Sequence, residues 1–278
     1  FGLAPEVNEA VEAAHRDGIL TASSLMVAAP AAADAVDRAR RLPNLRVGLH
    51  LVLVESWPAL PPQDVSDLVD ASGRFRTDMA RFGLDIALRP RVRRQLAAEI
   101  TAQFEAFRAT GLPLDHVNAH KHFHLHPVIA GQVIRIGRRY GMRALRAPVE
   151  PAAVLARVEL GPRTVEARAA VPWAVLLRLW ARRAGLTVPD AVFGLAWSGA
   201  MSERRLAGLL AHLPDGLTEI YTHPATAGGF AGCAPDYRYR DELAALVSPA
   251  CRDALAADVQ LGGYADFFNS GSAPNASA

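Results

Sequence analysis

Apolar residues recur along this chain with two different periods, and the two alternate. Pro5 suits a first helical position and Gly18 a stop, and Val7, Val11 and Ala14 recur between them at helical spacing, so residues 5–17 are predicted to be a helix. Residues 19–29 read as a strand with a small-residue end, 31–41 as a second helix, and 45–53 as a buried strand that carries His50. Residues 54–90 hold Pro58, Pro61, Pro62, Gly73 and Gly83 and read as a long loop with a short helix; loops this long in compact domains tend to be functional. Leu96, Ile100, Phe104 and Phe107 line one face of an amphipathic helix over 91–109. A strand is expected over 114–119, a helix from Pro127 to Gly141, and a strand over 144–147.

The rhythm breaks over 148–200. Within that stretch, Trp173, Leu176, Leu177, Trp180 and Ala184 share one face of a helix, with Arg178 and Arg182 opposite. Such a helix packs on the domain or lies at an interface, its apolar face toward lipid and its back basic. Regular elements resume with a helix over 202–212 capped by Ser202, and a strand over 217–222 that ends on His223-Pro224. A helix from Ser248-Pro249 to about Ala257 follows, and then a short strand over 259–261. The Ser-, Ala-, Gly- and Asn-rich tail, 269–278, is expected to be disordered. Strand alternating with helix argues for an α/β fold with a parallel sheet and crossover helices.

The polar residues interrupt this pattern at telling places. Five of the nine histidines lie within 115–127, and His120, His122, His124 and His126 alternate. In an extended chain that alternation puts imidazoles on one face, where a half-buried strand would carry Val or Ile. Neutral imidazole is the commonest metal ligand and a proton carrier near neutral pH. His50, the 120–126 cluster and His223 all fall at or near the C-terminal ends of predicted strands, where βα barrels build their active sites. Histidines with a carboxylate and an open water position make a hydrolytic metal site. Asp115 and Glu55 are the nearby carboxylates, and neither is a clear ligand by spacing alone.

Composition narrows the classes. The 278 residues are 51% hydrophobic, enough for a large core, with a net charge of +2. Arginines are dispersed rather than blocked, so nucleic acid is not an expected partner. Cys233 and Cys251 lack CxxC spacing and read as free thiols of a reducing compartment, which places the protein in the cytoplasm. No apolar run is long enough to span a bilayer. There is no G-x-S-x-G elbow, and the glycines at 228–232 lack the lysine of a P-loop.

Several stretches, in order and spacing, resemble the YdjC-like carbohydrate deacetylases. They are Phe1-Gly2-Leu3 with Val7-Asn8, residues 18–27, Gly48-Leu49-His50-Leu51, residues 120–127 and Thr222-His223-Pro224. The resemblance spans about residues 1–265 and is weakest over 150–200. The Asn-Ala-His-Lys-His-Phe-His-Leu-His-Pro form of the cluster looks most like the hopanoid-biosynthesis-associated, HpnK-like branch.

This resemblance implies a distorted (β/α) barrel related to polysaccharide deacetylases, forming one domain over 1–268 with an apolar and basic insertion at about 150–200. It implies removal of an N-acetyl group from an amino sugar with one divalent metal, zinc or alternatively magnesium. His50 and His120 match two ligands; the third, an aspartate, and the general-base aspartate belong to an Asp-Asp-Phe-Gly motif. The chain opens at the phenylalanine of that motif, so both aspartates and their strand are expected before Phe1. His223 matches the general acid, and His122, His124 and Arg146 are expected to contact substrate. The hopanoid branch implies N-acetylglucosaminyl hopane as substrate, with residues 171–184 touching the inner face of the cytoplasmic membrane. A soluble chitooligosaccharide deacetylase of the diacetylchitobiose type is the alternative, followed by a non-catalytic sugar- or metal-binding barrel. A metal-dependent phosphoesterase would want more carboxylates and a phosphate cradle.

Overall fold

Strand 46–51 shows why the fold places polar chemistry on one side. Its residues alternate strictly, with Val47, Leu49 and Leu51 on one face and Arg46, Gly48 and His50 on the other. The apolar face is fully buried, and Leu49 and Leu51 are wholly inaccessible to solvent. The computed structural model describes residues 1–159 and 165–268, with side chains left out for 165–169.

Helix α1 (Pro5–Asp17) leads into β1 (Ala22–Leu25), α2 (Ala32–Arg40) into β2 (Arg46–Leu51), and α3 (Met79–Leu88) and α4 (Pro90–Ala109) into β3 (Val117–Ala119). These strands form a parallel sheet in the order β1-β2-β3. Its register pairs Ser24 with Gly48 and His50 with Asn118. Single parallel bridges, Val117 with Leu145 and Ala144 with Thr187, carry the pairing beyond β3. A 3-10 segment (His120–Leu125) joins β3 to α5 (Pro127–Arg139), and α6 (Ala152–Val158) and α7 (Val165–Arg183) follow. A second parallel pair joins β4 (Ala191–Phe193) to β5 (Thr218–Ile220), with α8 (Glu203–Leu210) between them. Helices α9 (Tyr239–Val247) and α10 (Pro249–Asp253) and a 3-10 turn (Tyr264–Phe267) complete the described chain.

The expected α/β class with parallel strands and crossover helices is present. Among the described residues the strands fall into a three-stranded and a two-stranded sheet, so a closed barrel is not seen; β1 and β5 are unpaired with each other, yet both line one cavity. The larger core packs β1–β3 against α2, α4 and α5 through Leu25, Val47, Leu49, Ile100, Phe104 and Ile129, and a smaller core joins α8, α9 and β4. Burying these side chains at ~25 cal/mol per Å² is the main term holding the strand ends in place.

Several local expectations change. Residues 120–125 are not extended: Lys121 and His122 take left-handed backbone angles, φ 50° and 53°, so alternate histidines do not share one face. Residues 259–261 form no strand, and the helix after Ser248 stops at Asp253. The loop over 54–90 contains the three-turn helix α3, capped by Asp78, which accepts from the Arg81 N–H. Helix α7 packs Leu177 and Trp180 of the expected face against the core, as does Ala184 just past its end, joined by Ala174 and Ala181, whereas Trp173, the first residue of that face, is 48% exposed. The tail, 269–278, lies outside the described residues.

Candidate active site

The C-terminal ends of β2, β3 and β5 open into one cavity of about 1840 Å³, whose wall includes His50, Asn118, His120, His122, Arg146, Glu219, Tyr221 and His223. Each side chain arrives by strand register or by the turn that ends a strand. His50 and Asn118 are register partners on neighbouring strands, and His50 Nδ1 donates to Asn118 Oδ1 at 2.6 Å. That leaves the His50 Nε2 lone pair free.

His120 begins the 3-10 segment, its ring set edge-on to His50 with centroids 5.7 Å apart. Its Nε2 lies 3.6 Å from Glu55, whose carboxylate is held by Lys121. Glu55, Lys121 and His122 are the three non-glycine residues with positive φ among the described residues, and all three line the cavity. Strained backbone of this kind persists where the surroundings enforce it, and it clusters at functional sites.

On the opposite wall His122 Nε2 and the Tyr221 hydroxyl are 3.1 Å apart, and Tyr221 in turn lies under the Arg146 guanidinium. Arg146 is buried and forms a two-pronged pair with Glu219. The backbone N–H of His223 donates to Glu242, a buried carboxylate on α9 that also accepts from the Met201 N–H. The His223 ring packs against Tyr221 and Tyr237. The Nδ1 atoms of His122 and His223 are buried and have no hydrogen-bond partner in the protein. Unpaired buried polar atoms of this kind are costly for a folded protein.

The electrostatics keep these rings neutral. Desolvation pushes the His223 pKa down to about 3, with the Arg146 charge acting the same way. Desolvation also holds His50 and His122 well below the ordinary imidazole value, assisted by His120 and Arg146 respectively. His120 is lowered too, by desolvation that outweighs the pull of Glu55. Neutral imidazoles are what a metal ion requires of histidine ligands.

Of the residues singled out by sequence, His50, His120, His122, Arg146 and His223 meet in the cavity. His124 does not reach it. It is wholly buried beneath the wall, its Nε2 donating to the Arg146 carbonyl at 2.8 Å, so it supports the site from behind instead of contacting substrate. Arg146 is on the wall, but two of its donors are committed to Glu219. Among the described residues no three His, Cys, Asp or Glu side chains converge as a metal-binding group, so His50 and His120 can supply only part of a ligand set. Sequence reasoning missed Asn118, Glu219, Tyr221, Glu242 and Tyr264. A glutamate inside the strand Thr218–Ile220 was the one readable signal.

Comparison with known proteins gives the fold and the family. A solved structure from Enterococcus faecalis V583, described as a cellobiose-phosphate cleavage protein, superposes with a TM-score of 0.67 over 91% of this chain and 90% of its own, at 22% identity. That likeness concerns the fold alone. A carbohydrate deacetylase of Geobacillus stearothermophilus is 30% identical over 276 residues, covering 96% of this chain and 95% of the relative. One from Brevibacillus brevis is 38% identical over 140 residues, which is 50% of this chain and 53% of the relative, so in that match the chain spans about half the relative's length. The family model described as YdjC-like protein matches residues 1–257, and the chain therefore belongs to the YdjC-like family.

Proposed function

We propose that this protein is a carbohydrate deacetylase that hydrolyses the N-acetyl group of an acetylated amino sugar, yielding the free amine and acetate. One observation carries the reading: neutral His50, His120, His122 and His223 converge, from three separate strand ends, on one cavity. Family membership and the carbohydrate deacetylases among its relatives point the same way.

His50 and His120 are read as two ligands of one divalent metal, zinc or alternatively magnesium, and an aspartate before Phe1 as the third. The donor set fits: both rings are neutral, and Asn118 leaves the His50 Nε2 lone pair available. When bound, such an ion polarises the acetyl carbonyl and lowers the pKa of water. The protein's own residues do the rest. In this reading the aspartate expected before Phe1 would take the proton of the attacking water, and His223 would deliver a proton to the departing amine. His223 is neutral in the free protein, its pKa lowered to about 3, so the proton it passes to the amine would be the one removed from the attacking water. His122 and Tyr221 offer hydrogen bonds to the sugar, and Arg146, fixed by Glu219, supplies a positive field over the reacting carbonyl.

The finer substrate assignment is N-acetylglucosaminyl hopane, the glycolipid of the hopanoid branch. The cavity is larger than the 300–1,000 Å³ usual for a single small ligand, which leaves room for an apolar aglycone. Val171, Val175 and Leu179 form an exposed stripe on α7 beside Arg182 and Arg183, a surface suited to peripheral contact with the cytoplasmic membrane. No helix among the described residues is long and apolar enough to cross a membrane. Acetate release from acetylglucosaminyl hopane and from diacetylchitobiose, each with and without chelator, tests both levels. Turnover of the disaccharide alone would make the substrate a soluble chitooligosaccharide; turnover of neither would favour a sugar-binding role.

A further inference from the structure

The floor of the cavity carries a hydrogen-bonded chain of which the proposed chemistry uses only the last link, His50 to Asn118. Asp115 Oδ2 lies 2.7 Å from His116 Nδ1, His116 Nε2 lies 2.8 Å from Ser24 Oγ, Asn118 Nδ2 lies 2.8 Å from Ser24 Oγ, and Asn118 Oδ1 lies 2.6 Å from His50 Nδ1. We propose that Asp115, His116, Ser24 and Asn118 are positioning residues that lock His50 in its Nδ1–H tautomer, so that Nε2 presents its lone pair to the cavity. The use of that lone pair rests on the metal reading above; the relay itself does not.

The direction of the chain is set at its far end. Asp115 accepts the backbone N–H of Ala265 at 2.8 Å and that of Tyr264 at 3.1 Å, so its carboxylate acts as acceptor throughout. His116 must then donate from Nδ1, and its Nε2 is left to accept. Ser24 gives its single hydroxyl proton to that nitrogen and can only accept from Asn118. The Asn118 amide nitrogen therefore points to Ser24 and its oxygen to His50, and an oxygen can only accept. Each group has one remaining choice, and the last of them fixes the His50 proton on Nδ1.

The surrounding residues are shaped to hold this chain. A Cβ on Gly48 would lie 2.5 Å from the His116 ring and 2.6 Å from its carbonyl oxygen, so only glycine lets the ring lie across β2 to reach Ser24 on β1. A Cβ on Gly263 would lie 2.8 Å from Asp115 Oδ1, so glycine there also permits the close approach of Tyr264 and Ala265. The Tyr264 ring stacks on His116 with centroids 4.7 Å apart. Two glycines and a stacked aromatic ring thus serve five side chains that reach from the C-terminal segment to a cavity histidine. Such outer partners orient a ligand and raise its basicity.

The test uses the full-length chain, with Ser24→Ala to break the relay and Ser24→Thr to keep its hydroxyl. Ring nitrogen-15 shifts of His50, assigned with a His50→Gln variant, report the tautomer, and chelator competition reports zinc affinity. The expected result is a pure Nδ1–H form in the wild type and in Ser24→Thr, and a mixture in Ser24→Ala with zinc affinity lower by about 10- to 100-fold. A wild-type His50 carrying its proton on Nε2, or a Ser24→Ala protein with unchanged tautomer, would overturn the relay. A tautomer shift in Ser24→Ala, in a protein whose wild type binds no zinc, would uphold the relay and refute the metal assignment separately.

Discussion

Arg146 grips Glu219 through two parallel hydrogen bonds, Nε to Oε2 at 2.8 Å and Nη2 to Oε1 at 2.6 Å, across the interior between the strand end after β3 and β5. Both side chains are largely buried, and the Tyr264 hydroxyl donates to the same carboxylate at 2.5 Å. Burial alone would raise the Glu219 pKa, but the Arg146 charge outweighs it and holds the carboxyl ionised. Arg146→Met removes that partner and leaves a buried carboxylate with the Tyr264 hydroxyl as its remaining donor. The expected loss is about 3–5 kcal/mol in denaturant unfolding, with much of it recovered in the Arg146→Met, Glu219→Gln double variant. A single-variant loss below about 1 kcal/mol would mean the pair is hydrated and structurally minor.

His50→Ala and His120→Ala are each expected to abolish bound metal and to lower acetate release by more than the roughly 100-fold typical of an outer partner. His122→Phe should instead retain the metal and raise KM, since its ring meets Tyr221 and the cavity but is not assigned as a ligand. Unchanged metal content in both the His50 and His120 variants would remove them from the ligand set.

Gly48→Ala tests the same strand two residues earlier, on the face that carries His50. The added methyl would meet the His116 ring and carbonyl, with no flexible neighbour to yield at the carbonyl. Overpacking of this kind costs about 1–3 kcal/mol, and here it should also weaken zinc binding, measured by chelator competition. A variant with native stability and affinity would show that the ring can move freely.

Acidification should destabilise the fold above the ordinary carboxylate range. His124 illustrates the sign: desolvation lowers its folded pKa to about 4, whereas the unfolded chain binds a proton near 6.5. Between those values the unfolded state holds more protons, so stability is full above 6.5 and falls as pH drops toward 4. From pH 6.5 to 5 that amounts to about 2 kcal/mol for His124. His50, His120, His122, His126 and His223 act in the same direction. Glu242, raised to about 7 by burial, opposes them, since its protonated form is the better tolerated one. Glu99, also raised by burial, opposes them too, and six histidines against two carboxylates leave a net loss. The denaturation midpoint should therefore fall from pH 7 to 5, and fall less in His124→Phe; a midpoint that rises would contradict the neutral assignment.

Much of the site was legible because strands obey a two-residue period. The pattern of 46–51 puts His50 opposite three apolar residues, and the positions of His50 and His223 near strand ends follow from the same counting. The histidine cluster misled because alternation along a chain is also compatible with a tight turn, and left-handed angles at Lys121 and His122 leave no mark on residue type. The short strand β4, of three residues, lies within the stretch where the sequence rhythm breaks. The relay was invisible for a different reason. Ser24, His116 and Asp115 meet only because the parallel register aligns three strands and because residues 264–265 return about 150 positions later. Spacing along the chain carries no trace of either.

The most direct measurement is acetate release by the full-length chain from acetylglucosaminyl hopane and diacetylchitobiose, with and without a chelator. The expected result is equimolar acetate and free amine from an acetylated amino sugar, abolished by chelator and restored by added zinc or magnesium. No acetate from either substrate by a protein with metal bound, or release that survives complete metal removal, would contradict the deacetylase assignment in its proposed form.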